Sequence, residues 1–330
     1  MARPTMEDVA ARAGVSRALV SLVMRGSPKV SERRRTAVLR AAEELGYSPH
    51  AMARSLASRT SHVVGVMVSD LHNPFWAEVV DGLDEAAREA GFELVFNTGG
   101  RRASRERAAL SGLLSFRPAG IVLLGPVVPA PAIAEAAAQG PVVLVSRSSR
   151  LSNVDTVNDD GHAGSGMLVD HLVSLGHKEI VHIDGGDGSQ AAPRRTGYRA
   201  AMRRHGLTPR VVTGEYTEAA GARAVRDLLA TGLDFTAILA ANDLNAVGAI
   251  SALESAGRAV PHDVSVVGYD NTWLAGLSHI SLTTIDQPRT EMGRLAAAAL
   301  VDRVRGERTD PARYLLAPRL VERTTTGPPR

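Results

Sequence analysis

The 330-residue sequence contains no cysteine. Disulfides and thiolate metal sites are therefore excluded, and the composition suits a reducing cytoplasm. The sequence also lacks any run of about 18 uncharged apolar residues, so we expect no membrane span. Residues 1–10 have no apolar core of the kind that signal peptides carry. These absences predict a cytoplasmic protein rather than a secreted one.

Lysine is nearly absent as well, because only Lys29 and Lys178 occur and the other basic residues are arginines. The net charge of +3 conceals an uneven distribution. Residues 1–60 hold 11 basic and 5 acidic residues, whereas the remainder holds 27 and 30. A basic module at one end of a chain is typical of proteins that bind nucleic acid. Arginine suits bidentate contacts to phosphate and guanine, although a GC-rich genome produces the same bias.

The first 46 residues carry the capping signals of three short helices. Thr5 and Asp8 form a capping box ahead of the first helix, and Gly14 supplies a left-handed residue that ends it. Ser16 is placed to cap the second helix and Ser31 to cap the third. The predicted apolar stripe of the third helix is Val38, Leu39, Ala42 and Leu45. Two helices joined by a short turn with glycine have helix-turn-helix spacing.

From residue 62 onward, buried strands alternate with amphipathic helices. Strands are predicted at 63–68, 92–96, 121–124, 142–145, 180–183, 210–213, 237–241, 264–268 and 282–285. Helices are predicted between them and at 289–305. Repeated strand–helix units predict parallel sheets with helices on both faces. Two such series predict an α/β core of two lobes, with a ligand cleft beyond the carboxyl ends of the strands.

A string of short motifs, in order along nearly the whole chain, resembles the LacI/GalR family of transcriptional regulators. The motifs are the run at 5–16, Val20-Ser21, Val30-Ser31, Leu45-Gly46-Tyr47, Ala53-Arg54-Ser55-Leu56, Asn73-Pro74-Phe75, Gly197-Tyr198-Arg199-Ala200-Ala201, Asn242-Asp243, the run at 264–270 and Leu282-Thr283-Thr284. The resemblance implies a DNA-binding headpiece, a short hinge helix and a periplasmic-binding-protein-like core that dimerises. Departures from the family pattern, which bear on the operator sequence and not on the mode of binding, occur at Leu19, Leu22, Arg25 and His50.

We therefore predict three regions. Residues 1–47 form the helix-turn-helix headpiece, 48–60 the hinge helix and linker, and 61–330 the core for effector binding and dimerisation. Lobe one of the core is predicted at about 61–160 and 288–315, and lobe two at about 161–287 and 316–330. The expected partners are a near-palindromic double-stranded DNA operator, a small-molecule effector and a second copy of the chain.

In a helix-turn-helix, residues near the start of the second helix read base edges in the major groove. Arg17 can donate two hydrogen bonds to guanine, whereas Ala18 and Leu22 offer apolar contact to a thymine methyl group. Core packing is the alternative for Leu22. The other predicted DNA contacts are Thr5, Ser16, Ser21 and Ser31 in the headpiece and Ala53 and Leu56 in the hinge.

Two further DNA-facing features have alternative interpretations. The resemblance implies that Leu56 inserts into a minor-groove base step, and its alternative is to pack on the core when DNA is absent. Arg33, Arg34 and Arg35 are candidates for phosphate contacts, or else form a solvated helix face.

A sugar is held by planar polar side chains that bind its hydroxyls and by an aromatic ring against its apolar face. The resemblance implies effector contacts at Phe75, Arg147, Asp160, Arg194, Asn242 and Asp270, and predicted strand ends add Trp76 and Trp273. Trp76 has the alternative of packing under the first core helix. Asp270 and Asn242 have the alternative of capping the helices that follow them.

Signals for catalysis or cofactors are weak. Gly185-Gly186-Asp187-Gly188 follows a strand, but no Lys-Ser/Thr pair follows it, so we predict a plain loop. Four histidines, which lack metal-site spacing and are predicted to be structural, are His162, His171, His177 and His182. We expect no cofactor, no metal and no enzyme activity.

The sequence thus predicts a DNA-binding transcriptional regulator, a repressor by the family's usual mode, that a sugar or sugar derivative controls. A transporter's solute-binding protein has the same core but needs a secretion signal and no basic headpiece. An α/β enzyme acting on a sugar or nucleoside needs a nucleophile, metal cluster or phosphate loop, and turnover assays would identify it.

Overall fold

The computed structural model describes residues 4–24, 27–47 and 61–330. The chain forms two compact units, Met1–His62 and Val63–Arg330. Each unit has its own hydrophobic core. Across the described ranges, the search for a helix long and apolar enough to cross a membrane finds none.

The described part of the first unit consists of α1 (Met6–Ala13), α2 (Arg17–Met24) and α3 (Glu32–Glu44). α1 begins with the predicted capping box. The Thr5 hydroxyl accepts a hydrogen bond from the Asp8 backbone N–H, and the Asp8 carboxylate accepts one from the Thr5 backbone N–H. The helix ends at Gly14, whose φ of 65° lies in the left-handed region. Both the predicted start and the predicted stop are confirmed.

The three helices enclose a small core that includes Val9, Val20, Val23 and Val38. Two predictions about α3 are wrong. Leu39 is 49% exposed, because the buried stripe runs from Val38 through Ala41 and Ala42 and leaves position 39 about 100° around the helix. Ser31 occupies the N-cap position, but its side chain makes no capping hydrogen bond.

The second unit, of which every residue is described, contains a six-stranded parallel sheet. Its strands are β1 (Val63–Val68), β2 (Glu93–Thr98), β3 (Gly120–Leu124), β4 (Val142–Val145), β5 (Val154–Asp159) and β11 (Arg313–Leu316). They lie in the order β11-β5-β4-β3-β1-β2. The helices on its faces are α4 (Phe75–Glu89), α5 (Ala103–Ser115), α6 (Ala130–Ala137) and α11 (Arg289–Arg305). This sheet and its helices are called lobe one below.

A four-stranded parallel sheet forms the centre of lobe two. Its strands are β6 (Ile180–Ile183), β7 (Arg210–Val212), β8 (Ala237–Ala240) and β9 (Ser265–Val267), in the order β7-β6-β8-β9. The helices of lobe two are α7 (Gly161–Ser174), α8 (Ala191–Arg204), α9 (Glu218–Ala230) and α10 (Asp243–Ser255). A short antiparallel pair joins β10 (Thr284–Asp286) to β12 (Arg319–Val321). The predicted fold class is confirmed for the N-terminal helices and for the α/β core of two parallel sheets, whereas the predicted hinge helix at 48–60 lies outside the described residues.

Strand β5 was not predicted, although all six of its residues are buried. Four of them are polar, which hides the apolar run expected of a central strand. The structure supplies its buried Asp155, Asn158 and Asp159 side chains with partners from distant parts of the chain, although one oxygen of each aspartate has none. Asp155, for example, accepts hydrogen bonds from Arg308 at 2.6 Å and from the Ala312 backbone N–H at 2.5 Å. Such partners are invisible to local periodicity.

Candidate functional site

A cavity of about 510 Å³, its mouth included, lies between the two lobes at the carboxyl ends of their strands. This is where open parallel sheets bind ligands. Four sequence-predicted residues line it: Phe75, Trp76, Arg194 and Asp270. The first two stand at the start of α4 in lobe one, and the last two belong to lobe two. Both lobes therefore contribute predicted side chains to one site.

Arg194 is buried in the first turn of α8. Its guanidinium carbon lies 3.7 Å from the ring centroid of Tyr269 and 5.6 Å from that of Tyr216. One terminal nitrogen donates to the Ala241 carbonyl at 2.8 Å, and the other lies 3.4 Å from Asp270 Oδ1. Nε has no hydrogen-bond partner in the fully described second unit. A buried donor without a partner is rare, and it makes Arg194 a candidate for ligand binding.

Asp270 follows β9 and has a φ of 122°, a conformation that residues other than glycine rarely adopt. Its Oδ1 accepts a hydrogen bond from Gln287 Nε2 at 2.6 Å, and Arg289 donates to its backbone carbonyl. Burial raises the pKa of the Asp270 carboxyl to about 8, against the opposing charge of Arg194. No helix of the second unit begins at Asp270, so the alternative role of helix cap is excluded.

Phe75 and Trp76 form the aromatic wall of the cavity. Their rings meet edge to face, with centroids 4.8 Å apart and planes at 82°. The indole lies so close to the loop after β3 that a Cβ at Gly125 would be 2.3 Å from a ring carbon of Trp76. Trp76 also belongs to the hydrophobic core of lobe one. Trp76 therefore both lines the cavity and packs in the hydrophobic core, so both interpretations of this residue describe its position.

Arg147 and Trp273 lie outside the lining of this cavity. A terminal nitrogen of Arg147 donates to the carbonyl oxygens of Pro126 and Val128, at 3.1 and 2.5 Å. Those carbonyls occupy one of the two terminal nitrogens that the sequence assigns to a ligand. Trp273 is 61% exposed and lines an adjoining apolar groove with Leu71. For both residues, an effector contact stays a prediction that this geometry does not favour.

Asp160 and Asn242 also lie outside the lining, and both cap helices. Asp160 accepts a hydrogen bond from the Ala163 backbone N–H at 2.9 Å at the start of α7. Asn242 accepts one from the Asn245 backbone N–H, also at 2.9 Å, at the start of α10. Capping was the stated alternative for Asn242, and the structure has it. Each of the two residues follows a strand and is the N-cap of the helix that begins next.

Several polar residues of the lining were missed as effector contacts: Ser69, Arg101, Ser146, Ser189, Gln190 and Tyr216. Ser69 and Ser146 come directly after strands, which is a usable signal. The signal that relates to Tyr216 is the glycine-rich segment that packs against its ring. A Cβ at Gly185 would lie 2.4 Å from this ring, and a Cβ at Gly188 would lie 2.5 Å from it. That segment has no regular secondary structure, so the predicted loop is confirmed. Its glycines let the backbone lie against a tyrosine rather than a phosphate.

Side-chain bonds connect the two lobes around the cavity. They join Arg101 to Glu215 at 2.9 Å, Gln190 to Asn158 at 2.7 Å and Tyr269 to Asp159 at 2.6 Å. The first pair is partly exposed at the cavity mouth and contributes little by itself, whereas the other two are buried. Movement of one lobe against the other would break all three bonds.

The headpiece presents several predicted DNA contacts at the start of α2. Ser16, Arg17 and Ala18 are exposed there. Arg17 pairs with Glu7 at 3.0 Å, but both side chains are more than 60% exposed, so this ion pair is weak and a guanine can replace it. Leu22 is half-buried against the headpiece core, as its alternative interpretation states. Its contact with DNA stays a prediction.

The remaining predicted DNA contacts divide by position. Thr5 and Ser31 are exposed and Ser21 is half-buried, while Ala53 and Leu56 lie outside the described residues. Among the three consecutive arginines, Arg35 is held locally, because it donates to the Ser27 carbonyl at 2.7 Å and to Glu32 at 3.2 Å. Arg33 and Arg34 are exposed and remain candidates for phosphate contact.

Three of the four histidines that the sequence predicts to be structural, His171, His177 and His182, make hydrogen bonds in the second unit, whereas His162 is exposed. His177 bonds to Thr236, Ser265 and the Gly327 carbonyl, at 2.8–3.0 Å. His182 is buried beside the Leu239 carbonyl, and burial lowers the pKa of its imidazole to about 4. Over residues 4–24, 27–47 and 61–330, no cluster of three His, Cys, Asp or Glu side chains could hold a metal ion.

Two family models match parts of the chain. Residues 5–50 match the model of bacterial regulatory proteins of the lacI family. Residues 169–326 match the model of a periplasmic binding protein-like domain. The first match covers the basic headpiece, and the second covers most of lobe two and the C-terminal strands.

Full-length relatives agree with both matches. The HTH-type transcriptional regulator CelR of Thermobifida fusca is 37% identical over 97% of this chain and 98% of its own length. A solved complex of the transcriptional regulator CelR with cellobiose is 36% identical, with a TM-score of 0.74 over 98% of this chain and 100% of that one. The lac repressor dimer bound to operator and the anti-inducer ONPF is 29% identical, with a TM-score of 0.85 over 99% and 100%. The chain belongs to the lacI family of bacterial regulatory proteins and is a transcriptional regulator.

Proposed function

We propose that this regulator represses transcription by binding a near-palindromic operator as a homodimer in the cytoplasm. A sugar or sugar derivative in the cavity between the lobes changes its affinity for that operator. The protein works by binding alone, without catalysis. Arg194, Asp270, Phe75 and Trp76 are the sequence-predicted residues that we assign to the effector site.

The observation that carries this proposal is the chemistry of the cavity lining. Arg194 and Gln190 offer fixed donors, Asp70 offers a carboxylate acceptor, and Asp270 offers a carboxyl group. Hydroxyl groups both donate and accept, so a polyhydroxyl ligand can satisfy such a mixed set. The rings of the aromatic wall provide the apolar face against which a sugar ring packs.

The relatives support the same class of ligand and partner. The CelR complex contains cellobiose, and the lac repressor complex contains operator DNA and a bound anti-inducer. This chain aligns with nearly the full length of both. Its headpiece has an exposed Arg17 and Ala18 where α2 begins, as a helix that reads the major groove requires.

An exposed apolar groove on the second unit supports the homodimer. Leu71, Phe96 and Trp273 line this groove and are 65%, 47% and 61% exposed. Large apolar residues gathered in one exposed groove mark an interaction surface more often than a free one. A second copy of the chain would cover them, and a symmetric dimer would place two headpieces on two half-sites.

The test begins with an operator selected by the full-length protein from a random-sequence DNA library. Its affinity is then measured by fluorescence anisotropy with D-ribose, D-glucose, D-galactose and cellobiose added in turn. We expect at least one sugar to raise the melting temperature and to change operator affinity by tenfold or more, which is about 1.4 kcal/mol of coupling. No selected operator, or no sugar that affects both quantities, would contradict the proposal.

A further inference from the structure

Glu106 does not line the cavity. It lies directly behind the part of the cavity wall that lobe one forms. It stands in the first turn of α5 and has no solvent exposure. Its Oε1 accepts a hydrogen bond from the Ser69 hydroxyl at 2.6 Å. Its Oε2 accepts two more, from the backbone N–H groups of Val127 and Val128 at 2.7 and 2.8 Å. Ser69 and Val127 both line the cavity.

The loop that Glu106 binds is also held from its other side. Arg147 donates to the carbonyls of Pro126 and Val128, whereas the N–H groups of Val127 and Val128 donate to Glu106. The two charged groups are close enough for Glu106 to oppose the fall in the pKa of Arg147 that burial causes. Glu106 and Arg147 together fix the position of this loop.

The backbone makes room for the carboxylate at one point. A Cβ at Gly99, in the turn after β2, would lie 2.3 Å from Glu106 Cγ and 2.5 Å from its backbone nitrogen. In the same turn, the Arg101 N–H donates to the Ser69 carbonyl at 2.9 Å. The segments that follow β1, β2 and β3 therefore all meet at Glu106, and each contributes to the cavity wall.

We propose that Glu106 is a positioning residue that sets the hydrogen-bond polarity of Ser69. A carboxylate that accepts two backbone N–H bonds has only acceptor capacity left for the serine. The hydroxyl proton is thereby committed to Glu106, and Ser69 presents only lone pairs to the cavity. Ser69 is then an acceptor that selects a donor, a ligand hydroxyl, at this corner of the site. This inference rests on the proposed function.

A glutamine at position 106 would reverse this polarity with almost no change of shape. The two backbone N–H groups require the amide oxygen, so the amide NH₂ must face Ser69. Ser69 then accepts from the amide and turns its own proton toward the cavity. A ligand hydroxyl that donated to Ser69 must then rotate to accept from it, and binding weakens because the proton of that ligand hydroxyl loses its acceptor.

The experiment is a double-mutant cycle on full-length protein. Sugar affinity is measured by calorimetry for wild type, Glu106→Gln, Ser69→Ala and the double variant, with the tightest binder among D-ribose, D-glucose, D-galactose and cellobiose. We expect Glu106→Gln to weaken binding tenfold or more in wild type but by less than twofold in the Ser69→Ala background, because no hydroxyl remains to reverse. Glu135→Gln on the exposed face of α6 is the matched control and should bind as wild type does.

An equal loss in both backgrounds, or less than a threefold loss in wild type, overturns the inference. If no sugar binds wild type, the proposed function fails and the inference fails with it. If Glu106→Gln does not fold, monodeoxy and deoxyfluoro analogues of the same sugar are compared on wild type and Ser69→Ala. The hydroxyl facing Ser69 is the one whose removal weakens wild type alone. Fluorine there accepts but cannot donate, so we expect it to bind no better than hydrogen, and recovery with fluorine overturns the inference.

Discussion

The headpiece and the core place their polar side chains in opposite ways. In the headpiece, Ser16 and Arg17 stand exposed at the start of a helix, and their local partners are weak. In the core, Arg194 and Asp270 are buried, and groups from distant parts of the chain hold them. A surface that reads DNA needs side chains free to meet a large partner. A cavity that reads a small molecule needs its groups fixed before the ligand arrives.

This difference has a consequence for mutation. A change at an exposed headpiece residue should alter DNA affinity and leave stability nearly constant. A change at a buried cavity residue should alter ligand affinity and stability together, because its partners lose their bonds as well. Measuring affinity and stability on the same variant therefore distinguishes the two kinds of residue.

Removing the headpiece and hinge should have the largest effect. The described core has its own sheets and hydrophobic clusters, so a fragment of residues 61–330 should fold and keep its sugar affinity within about twofold. Its operator affinity should fall by about 1,000-fold or more, which is the usual gap between specific and non-specific binding. Calorimetry and anisotropy on the fragment check both. Retained operator binding would contradict the assignment of DNA recognition to the headpiece.

Arg17→Ala should reduce operator affinity by about 10- to 100-fold, because one bidentate guanine contact contributes about 1–3 kcal/mol of discrimination. The loss should be confined to the operator and relax one base position. Arg34→Ala is the matched comparison, an exposed arginine that we expect to contact phosphate. It should weaken operator and random duplex alike and lower the salt slope by about 1. A salt series on both duplexes distinguishes the two, and identical behaviour would refute the separate roles.

Asp270 should make stability depend on pH. Burial raises the pKa of its carboxyl to about 8, so the folded chain keeps a proton that the unfolded chain releases near its ordinary pKa of about 4. The free energy of unfolding should therefore fall as pH rises through this range, by about 1 kcal/mol per pH unit, and level off above about pH 8. The histidines whose pKa burial lowers titrate below about pH 6.5.

Urea unfolding at about pH 6.5, 7.2 and 8 measures this slope for wild type and for Asp270→Asn, which keeps the size of the side chain and removes its titration. Groups shared by the two proteins contribute to both slopes, so the midpoint of Asp270→Asn should fall less steeply than that of wild type. Parallel slopes for the two proteins would show that Asp270 is ionised throughout.

Asn242→Ala should have the smallest effect. It removes the N-cap of α10, which costs about 1 kcal/mol of stability, and should leave sugar affinity within about twofold. Asn242→Ser, which keeps a capping oxygen, should recover most of the stability. Thermal unfolding and calorimetry on both variants check this. A tenfold loss of sugar affinity at unchanged stability would return Asn242 to the effector site, to which its unpartnered Nδ2 would then donate.

The comparison also explains which features the sequence could predict. The capping box at Thr5, the stop at Gly14 and most core strands follow from residues a few positions apart, and the structure has them. Half of the predicted effector residues line the cavity, whereas Arg147 and Asn242 turn to backbone groups. Whether a polar side chain at a strand end meets a ligand depends on which backbone groups compete for it.

Some buried polar residues had no local signal at all. Glu106 lies in an ordinary helical stretch, and only the tertiary fold brings it to Ser69, which is 37 residues away in sequence. The partners of Asp155 come from more than 150 residues away. Contacts of this separation cannot be read from periodicity or spacing, because neither carries information about which strand ends become neighbours.

The central claim is that a ligand held by Arg194 in the cavity controls operator binding by the headpiece. One anisotropy titration of sugar into preformed protein–operator complex tests it, on wild type, Arg194→Ala and Arg199→Ala. Arg199 stands exposed on the same helix and is the control. We expect wild type and Arg199→Ala to respond alike. Arg194→Ala should bind operator normally but need at least about 100-fold more sugar, because a buried charged partner is lost. A normal response from Arg194→Ala would contradict the claim.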